Sequence, residues 1–268
     1  MKFNPILFML LGVLLLFSCK KASLITYDQP ANVYFDLNDV DRDSIIYTFA
    51  YDLGKSSDTV YVPIKVMGYR DAKPRKYEAY VVADSSTAKT GIHYDKLDTA
   101  YTLKAEEGRA YLPIIVHNVK DLEDRAVSLI IKLKENSDFG IRNPDLIRVK
   151  LVLSAKLERP SWWDNWLNNY SQVKHQLFYI VTEQKSLTTN GLDAPKNLYF
   201  VNLLLAMLND PFKWVNDHPE KGYALTTKDN GETYDFYPIN NPGRKILIKR
   251  NNATGKYFFI DENGKEVR

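Results

Sequence analysis

Few residues in this chain stand at the spacings that catalysis or metal binding requires. The four histidines, His93, His117, His175 and His218, lie far apart and form no H-E-x-x-H or comparable ligand pair. There is no G-x-S-x-G nucleophile turn, no phosphate-binding glycine loop and no G-x-G-x-x-G. Asp36, Asn38, Asp39, Asp41 and Asp43 are dense enough to suggest a calcium loop. That loop needs Gly at its sixth position and Glu at its twelfth. Counted from Asp36 these are Asp41 and Tyr47, and counted from Asp39 they are Ser44 and Ala50. A second acidic group, Asp121, Glu123 and Asp124, reads as a solvated turn. Carboxylates are plentiful, but no spacing nominates a general acid and its partner. The expectation is a chain that is not an enzyme, with no catalytic residue, no metal site and no cofactor.

Two features stand out from that background. Trp162, Trp163 and Trp166 account for three of the 4 tryptophans. Exposed, such indoles would stack on sugar rings or anchor a protein interface; buried, they would wedge a helical segment against the domain before it. Packing is the preferred reading, because a junction between two folded parts needs large buried side chains. These three remain the residues named for ligand or interface contact.

The second feature is the sole cysteine, Cys19. Met1-Lys2 gives a positive start, and residues 6–17 are almost wholly apolar. That run is too short for a spanning helix, which needs about 20 residues, and suits the apolar region of an export signal. It ends in Leu16-Phe17-Ser18-Cys19, which resembles the lipobox of bacterial lipoproteins. The resemblance implies that the thiol accepts a diacylglycerol, that cleavage falls before Cys19, and that the new amine is acylated. Two or more acyl chains anchor a protein stably where one does not. Residues 1–18 are therefore expected to be a signal peptide, and residues 19–30 a lipidated N-terminus and tether. The folded part then holds no thiol, hence no disulfide, cysteine-based metal site or cysteine nucleophile.

The elements that position these residues follow from periodicity. From residue 31 to residue 157 apolar residues alternate with polar ones: Val60, Val62, Ile64 and Val66; Ala110, Leu112, Ile114 and Val116; Val127, Leu129, Ile131 and Leu133; Ile147, Val149, Leu151 and Leu153. With further candidate strands at 32–37, 43–51 and 76–84, this predicts about seven strands, each with one buried face, in an antiparallel β-sandwich. Residues 158–268 change character. Ser171 is placed to cap a helix through Val173, Leu177, Ile180 and Val181. Asp193-Ala194-Pro195 opens a second helix that carries residues 198–208 inward and stops before Pro211. Ile246–Ile248 and Tyr257–Ile260, around the loop 251–255, predict a hairpin. The fold class expected is mainly β, an immunoglobulin- or Calx-beta-like sandwich followed by a small α+β region. Charge is balanced, 36 basic against 33 acidic residues without blocks, which argues against nucleic acid as a partner.

Thr90-Gly91-Ile92-His93-Tyr94, Tyr101-Thr102-Leu103, Gly108, the strand 112–116, the acidic loop 121–124 and Val127-Ser128-Leu129-Ile130-Ile131 together resemble a Calx-beta-type sandwich repeat. His93 stands where that repeat carries Asp, which weakens the calcium role that the resemblance implies for the acidic loop 121–124 and leaves weak calcium binding there as the lesser alternative to a solvated turn. The whole chain is similar to uncharacterised Bacteroidota lipoproteins known as a domain of unknown function, through Trp162-Trp163, Trp166 and Tyr170-Ser171-Gln172-Val173-Lys174. That resemblance implies no reaction. It implies an outer-membrane anchor and proximity to a polysaccharide-uptake system. Surface-exposed members carry acidic residues after the cysteine; Lys20-Lys21-Ala22-Ser23 does not, so the membrane face stays open. The expected function is a non-enzymatic binding or accessory component of the envelope, with a glycan-binding module using Trp162, Trp163 and Trp166 as the alternative.

Overall fold

The computed structural model describes residues 30–39, 41 and 44–268. The leader, Cys19 and nearly all of the tether lie outside the described residues. Eight strands make the N-terminal part: β1 (Asn32–Phe35), β2 (Ile45–Thr48), β3 (Ser57–Met67), β4 (Arg75–Val81), β5 (Tyr101–Leu103), β6 (Arg109–His117), β7 (Val127–Lys134) and β8 (Arg148–Ser154). They form two sheets, ordered β1-β3-β6 and β2-β8-β7-β4-β5. The alternation in the sequence is the cause. Val60, Val62 and Ile64 pair with Ile114, Leu112 and Ala110 across β3 and β6. Their inward side chains meet Leu129, Ile131, Val149 and Leu151 of the other sheet in a single core. Pairing is antiparallel throughout except at one edge, where β2 runs parallel to β8 with Ile45 opposite Leu151.

Beyond Leu157 come three helices, α1 (Gln172–Thr182), α2 (Ala194–Asn209) and α3 (Pro211–Asp217), then β9 (Tyr223–Thr227), β10 (Thr233–Pro238), β11 (Ile246–Arg250) and β12 (Tyr257–Phe259). The expected hairpin is thus half of a four-stranded antiparallel sheet, ordered β12-β11-β10-β9. Ser171 caps α1, its Oγ accepting the Lys174 amide at 3.0 Å. Pro195 sits in the first turn of α2, where its missing N–H has no intrahelical acceptor to lose.

One expectation about α2 is corrected. Only Leu204, Met207 and Leu208 of the 198–208 run are buried, while Leu198, Tyr199 and Leu205 are 51%, 60% and 44% exposed. The helix packs on one side, against α1, α3 and β12. Nothing among the described residues covers its other side. No described helix is long and apolar enough to cross a membrane.

A second core gathers Trp162, Trp163, Leu177, Phe178, Met207, Trp214, Phe236, Ile248 and Phe259, and it also takes Leu53 from the loop after β2. Polar bonds lock that loop to both parts. The Asn118 amide donates to the Asp52 and Lys55 carbonyls at 3.2 and 2.9 Å. Asn241, on the C-terminal side, donates to those of Leu53 and Lys55 at 3.3 and 3.0 Å. The two parts are therefore joined by shared core and by paired polar groups.

A candidate ligand cleft at the junction

Where the 51–55 loop, the C-terminal end of α1 and the 220–240 segment meet, they leave a cleft of about 460 Å³. That volume falls in the range of small-ligand pockets. Tyr51, Tyr179 and Tyr223 supply its aromatic surface, and Asp52, Lys55, Glu183, Glu220 and Lys221 its charges. Each side chain owes its place to a local feature. The chain turns sharply after β2, with the Asp52 amide bonded to the Phe49 carbonyl, so that Phe49 and Leu53 point into the two cores and Tyr51 lies at the cleft. Glu183 ends α1 in the left-handed region at φ 57°, its amide returning to the Tyr179 carbonyl. Gly222, at φ 67°, supplies the matching turn on the opposite wall.

The electrostatics of the cleft are uneven. Lys221 Nζ bonds Glu183 at 2.7 Å, and this holds the Glu183 carboxyl below its ordinary value. Lys55 sits 2.9 Å from Asp58, outside the cleft, and only 4.0 Å from Asp52. Burial first, and then the charges of Asp52 and Glu183, push the Tyr179 hydroxyl up. Burial raises Tyr51 and Tyr223 likewise. All three phenols are therefore neutral hydrogen-bonding groups at physiological pH. Tyr51 and Tyr179 meet edge-on at 5.0 Å, and Tyr223 is stacked on Phe236 at 4.8 Å, which covers one of its faces.

The tryptophans form the wall behind this cleft. Trp163 is fully buried and Trp162 nearly so. Trp166 is half-buried, its indole N–H donating to the Thr188 carbonyl at 3.3 Å. Trp162, Trp163 and Tyr170 surround His175, and the Tyr51 ring lies 6.4 Å from it. A sugar-stacking platform needs an exposed ring face, and Trp162 and Trp163 offer none. Elsewhere on the surface, Tyr61 and Tyr111 are exposed together, but their rings stand at 85° to one another and make no flat face.

The remaining residues singled out in the sequence are engaged in tertiary bonds. The Lys89 amide donates to His93 Nδ1 at 2.8 Å, which leaves the proton on Nε2, 3.1 Å from Asp121. Burial works against the Asp121 charge, yet the His93 bond and Arg125 hold its carboxyl below the ordinary value. Glu123 accepts from Gln176 at 3.0 Å and lies 2.6 Å from the buried Arg244 guanidinium, across the junction. His117 pairs with Asp95 at 2.9 Å, and His218 with Glu220 at 3.2 Å. Among the described residues no cluster of His, Cys, Asp or Glu is placed to hold a metal ion. Cys19 lies outside them. Sequence reasoning missed Tyr51, Tyr179 and Tyr223 as a site because they come from three distant segments, each unremarkable alone; a tyrosine count of 18 was the only hint.

A family model described as a domain of unknown function (DUF4843) matches residues 27–184, the sandwich together with the tryptophan segment and α1. No curated protein matches. Solved structures are similar at a distance. A Bacteroides ovatus protein of unknown function has a TM-score of 0.37 and 12% identity, covering 82% of this chain and 65% of its own. A second such B. ovatus protein has 0.33 and 12%, covering 88% and 73%. A B. ovatus protein named as a candidate carbohydrate binding protein has 0.31 and 15%, covering 47% and 38%. The chain thus spans less than two thirds of the first two structures it matches. Likenesses this distant say nothing of function.

Proposed function

The chain belongs to the family described as a domain of unknown function (DUF4843), and on that footing we propose that it is a lipid-anchored envelope protein that binds a saccharide without transforming it. The anchor is Cys19, and the site is the cleft of Tyr51, Tyr179 and Tyr223. Its setting is the outer membrane, beside a polysaccharide-uptake complex to which it presents or retains ligand.

The observation that carries this reading is the make-up of the cleft. Half-buried tyrosines offer ring edges and neutral hydroxyls to a polyhydroxylated ligand, and charged side chains around them accept and donate further bonds. Glu183 is poorly suited to serve as the acid of a hydrolysis. A general acid needs a carboxyl whose pKa is raised, whereas Lys221 lowers that of Glu183. The glycan reading thus moves from the indoles, two of which are buried, to the tyrosines.

The test is a glycan array followed by calorimetry on soluble protein beginning at Lys20, beside a Tyr179→Ala variant. Binding to one saccharide class, weakened at least tenfold in a variant with native melting behaviour, is the expected result. An array silent for folded protein, or binding indifferent to Tyr179, overturns the cleft as the site.

A further inference from the structure

The cleft has a charge preference. Its lining carries three carboxylates, Asp52, Glu183 and Glu220, against two ammonium groups, Lys55 and Lys221. The ammonium groups are already committed. Lys221 is bonded to Glu183 at 2.7 Å, and Lys55 lies closer to Asp58, which is not part of the lining, than to Asp52. Glu220 has a partner in His218. Among the described residues Asp52 has only the long 4.0 Å pair with Lys55, and its side chain is 49% exposed.

The aromatic groups point the same way. A ring face attracts a cation; Lys185 Nζ, 4.9 Å from the Tyr51 centroid, already takes one face of that ring. Asp52 and Glu183 contribute to raising the Tyr179 hydroxyl, the sign expected of a negative field in this space.

We infer that the cleft selects a saccharide bearing a free ammonium group, an amino sugar, with Asp52 as the residue that pairs with it and Tyr51 and Tyr179 packing beside it. Uronate and sulfated sugars are disfavoured by the same carboxylates, because the two ammonium groups of the described lining, Lys55 and Lys221, are already paired. This inference rests on the reading of the cleft as a saccharide site and adds the class of sugar.

Four β-linked disaccharides test it on the soluble protein from Lys20 by calorimetry at low salt: that of glucosamine, its N-acetylated form, cellobiose and the glucuronate disaccharide. Glucosamine is expected to bind about fivefold tighter than cellobiose, the upper end of what one exposed ion pair supplies, with glucuronate weakest. The glucosamine advantage should vanish in Asp52→Asn and shrink as salt is raised. Among the described residues the Asp52 side chain makes no hydrogen bond that holds the loop, Asn118 bonding its backbone carbonyl instead, so melting should stay native. Equal binding of glucosamine and cellobiose, or an advantage that survives Asp52→Asn, overturns the charge preference while leaving a saccharide site. Failure of all four on folded protein that binds another glycan on the array also overturns it. Silence of folded protein toward every sugar overturns the underlying reading instead.

Discussion

His175 provides a test of how the junction is packed. Its ring is fully buried, enclosed by Trp162, Trp163, Tyr170 and Tyr51, and neither nitrogen has a protein partner among the described residues. Burial pushes its pKa down from 6.5 to about 4. The folded protein therefore refuses a proton that the unfolded chain accepts, so the unfolded state binds more protons between these two values. Stability must then rise with pH across that window and fall as pH is lowered through it. The loss begins near the unfolded value of 6.5, and it is complete below the folded value of about 4. Its full size is about 3 kcal/mol, and roughly 2 to 3 kcal/mol is already lost by about pH 4.5. The interval above about pH 4.5 is the cleaner one, because the carboxylates held low here, such as Asp58 at about 2, lose their contribution further down. Urea unfolding at fixed pH values between about 7.5 and 4.5 measures the slope. In His175→Leu, which places an apolar side chain of similar size in an apolar nest, that slope should flatten. Stability near neutral pH should be at least retained, since two unpaired polar atoms are gone. A wild-type profile that is flat over this interval, or a slope that persists in His175→Leu, refutes the reasoning.

Trp163→Ala should cost about 3–5 kcal/mol and lower Tm markedly, because the indole is fully buried; Trp166→Ala, at a half-buried position, should cost clearly less in the same calorimetric series. Arg244→Met should destabilise by about 3 kcal/mol by stranding Glu123, and Glu123→Leu with Arg244→Met should recover much of that loss in denaturant melts. Millimolar calcium or a chelator should leave Tm unchanged, since Asp121 is bound to His93 and Arg125 and Glu123 to Gln176 and Arg244; a rise of several degrees would show a site in the 121–124 loop. Cys19→Ser should abolish labelled-palmitate incorporation and membrane partitioning in cells, and retained acylation would exclude Cys19 as the anchor.

What the sequence made legible is what local chemistry decides. Strands β3, β6, β7 and β8 are readable because a two-residue period has only one face to bury. Ser171 and Pro195 mark helix starts because capping oxygens and a missing N–H act within one turn. Three-residue β5 is too short to show a period. Tyr223–Thr227 is partly exposed along its length and shows none either. The expected hairpin did not include its partner β10 either, although Asn230-Gly231 before it, with φ values of 45° and 95°, has the positive-φ geometry that Asn-Gly favours between hairpin strands. The exposed leucines of α2 misled for a different reason: an apolar run signals burial somewhere, and burial on one side only leaves the rest uncovered.

The cleft lies beyond that kind of reading because a single strand pairing creates it. In a fully antiparallel sheet β2 and β8 would run in opposite directions, and the chain following each would leave from opposite ends. Here they run parallel, Thr48 beside Ser154. Both continuations therefore emerge at the same end of the sandwich. One continuation is the 49–55 loop, which sends Leu53 into the second core and Tyr51 to the cleft. The other leads within ten residues to Trp162 and Trp163, which pack around His175 behind Tyr51. Residues more than a hundred positions apart thus become neighbours through the direction of one edge strand. That direction also explains why the tryptophans, the most conspicuous residues in the sequence, support the site from behind while less conspicuous tyrosines line it.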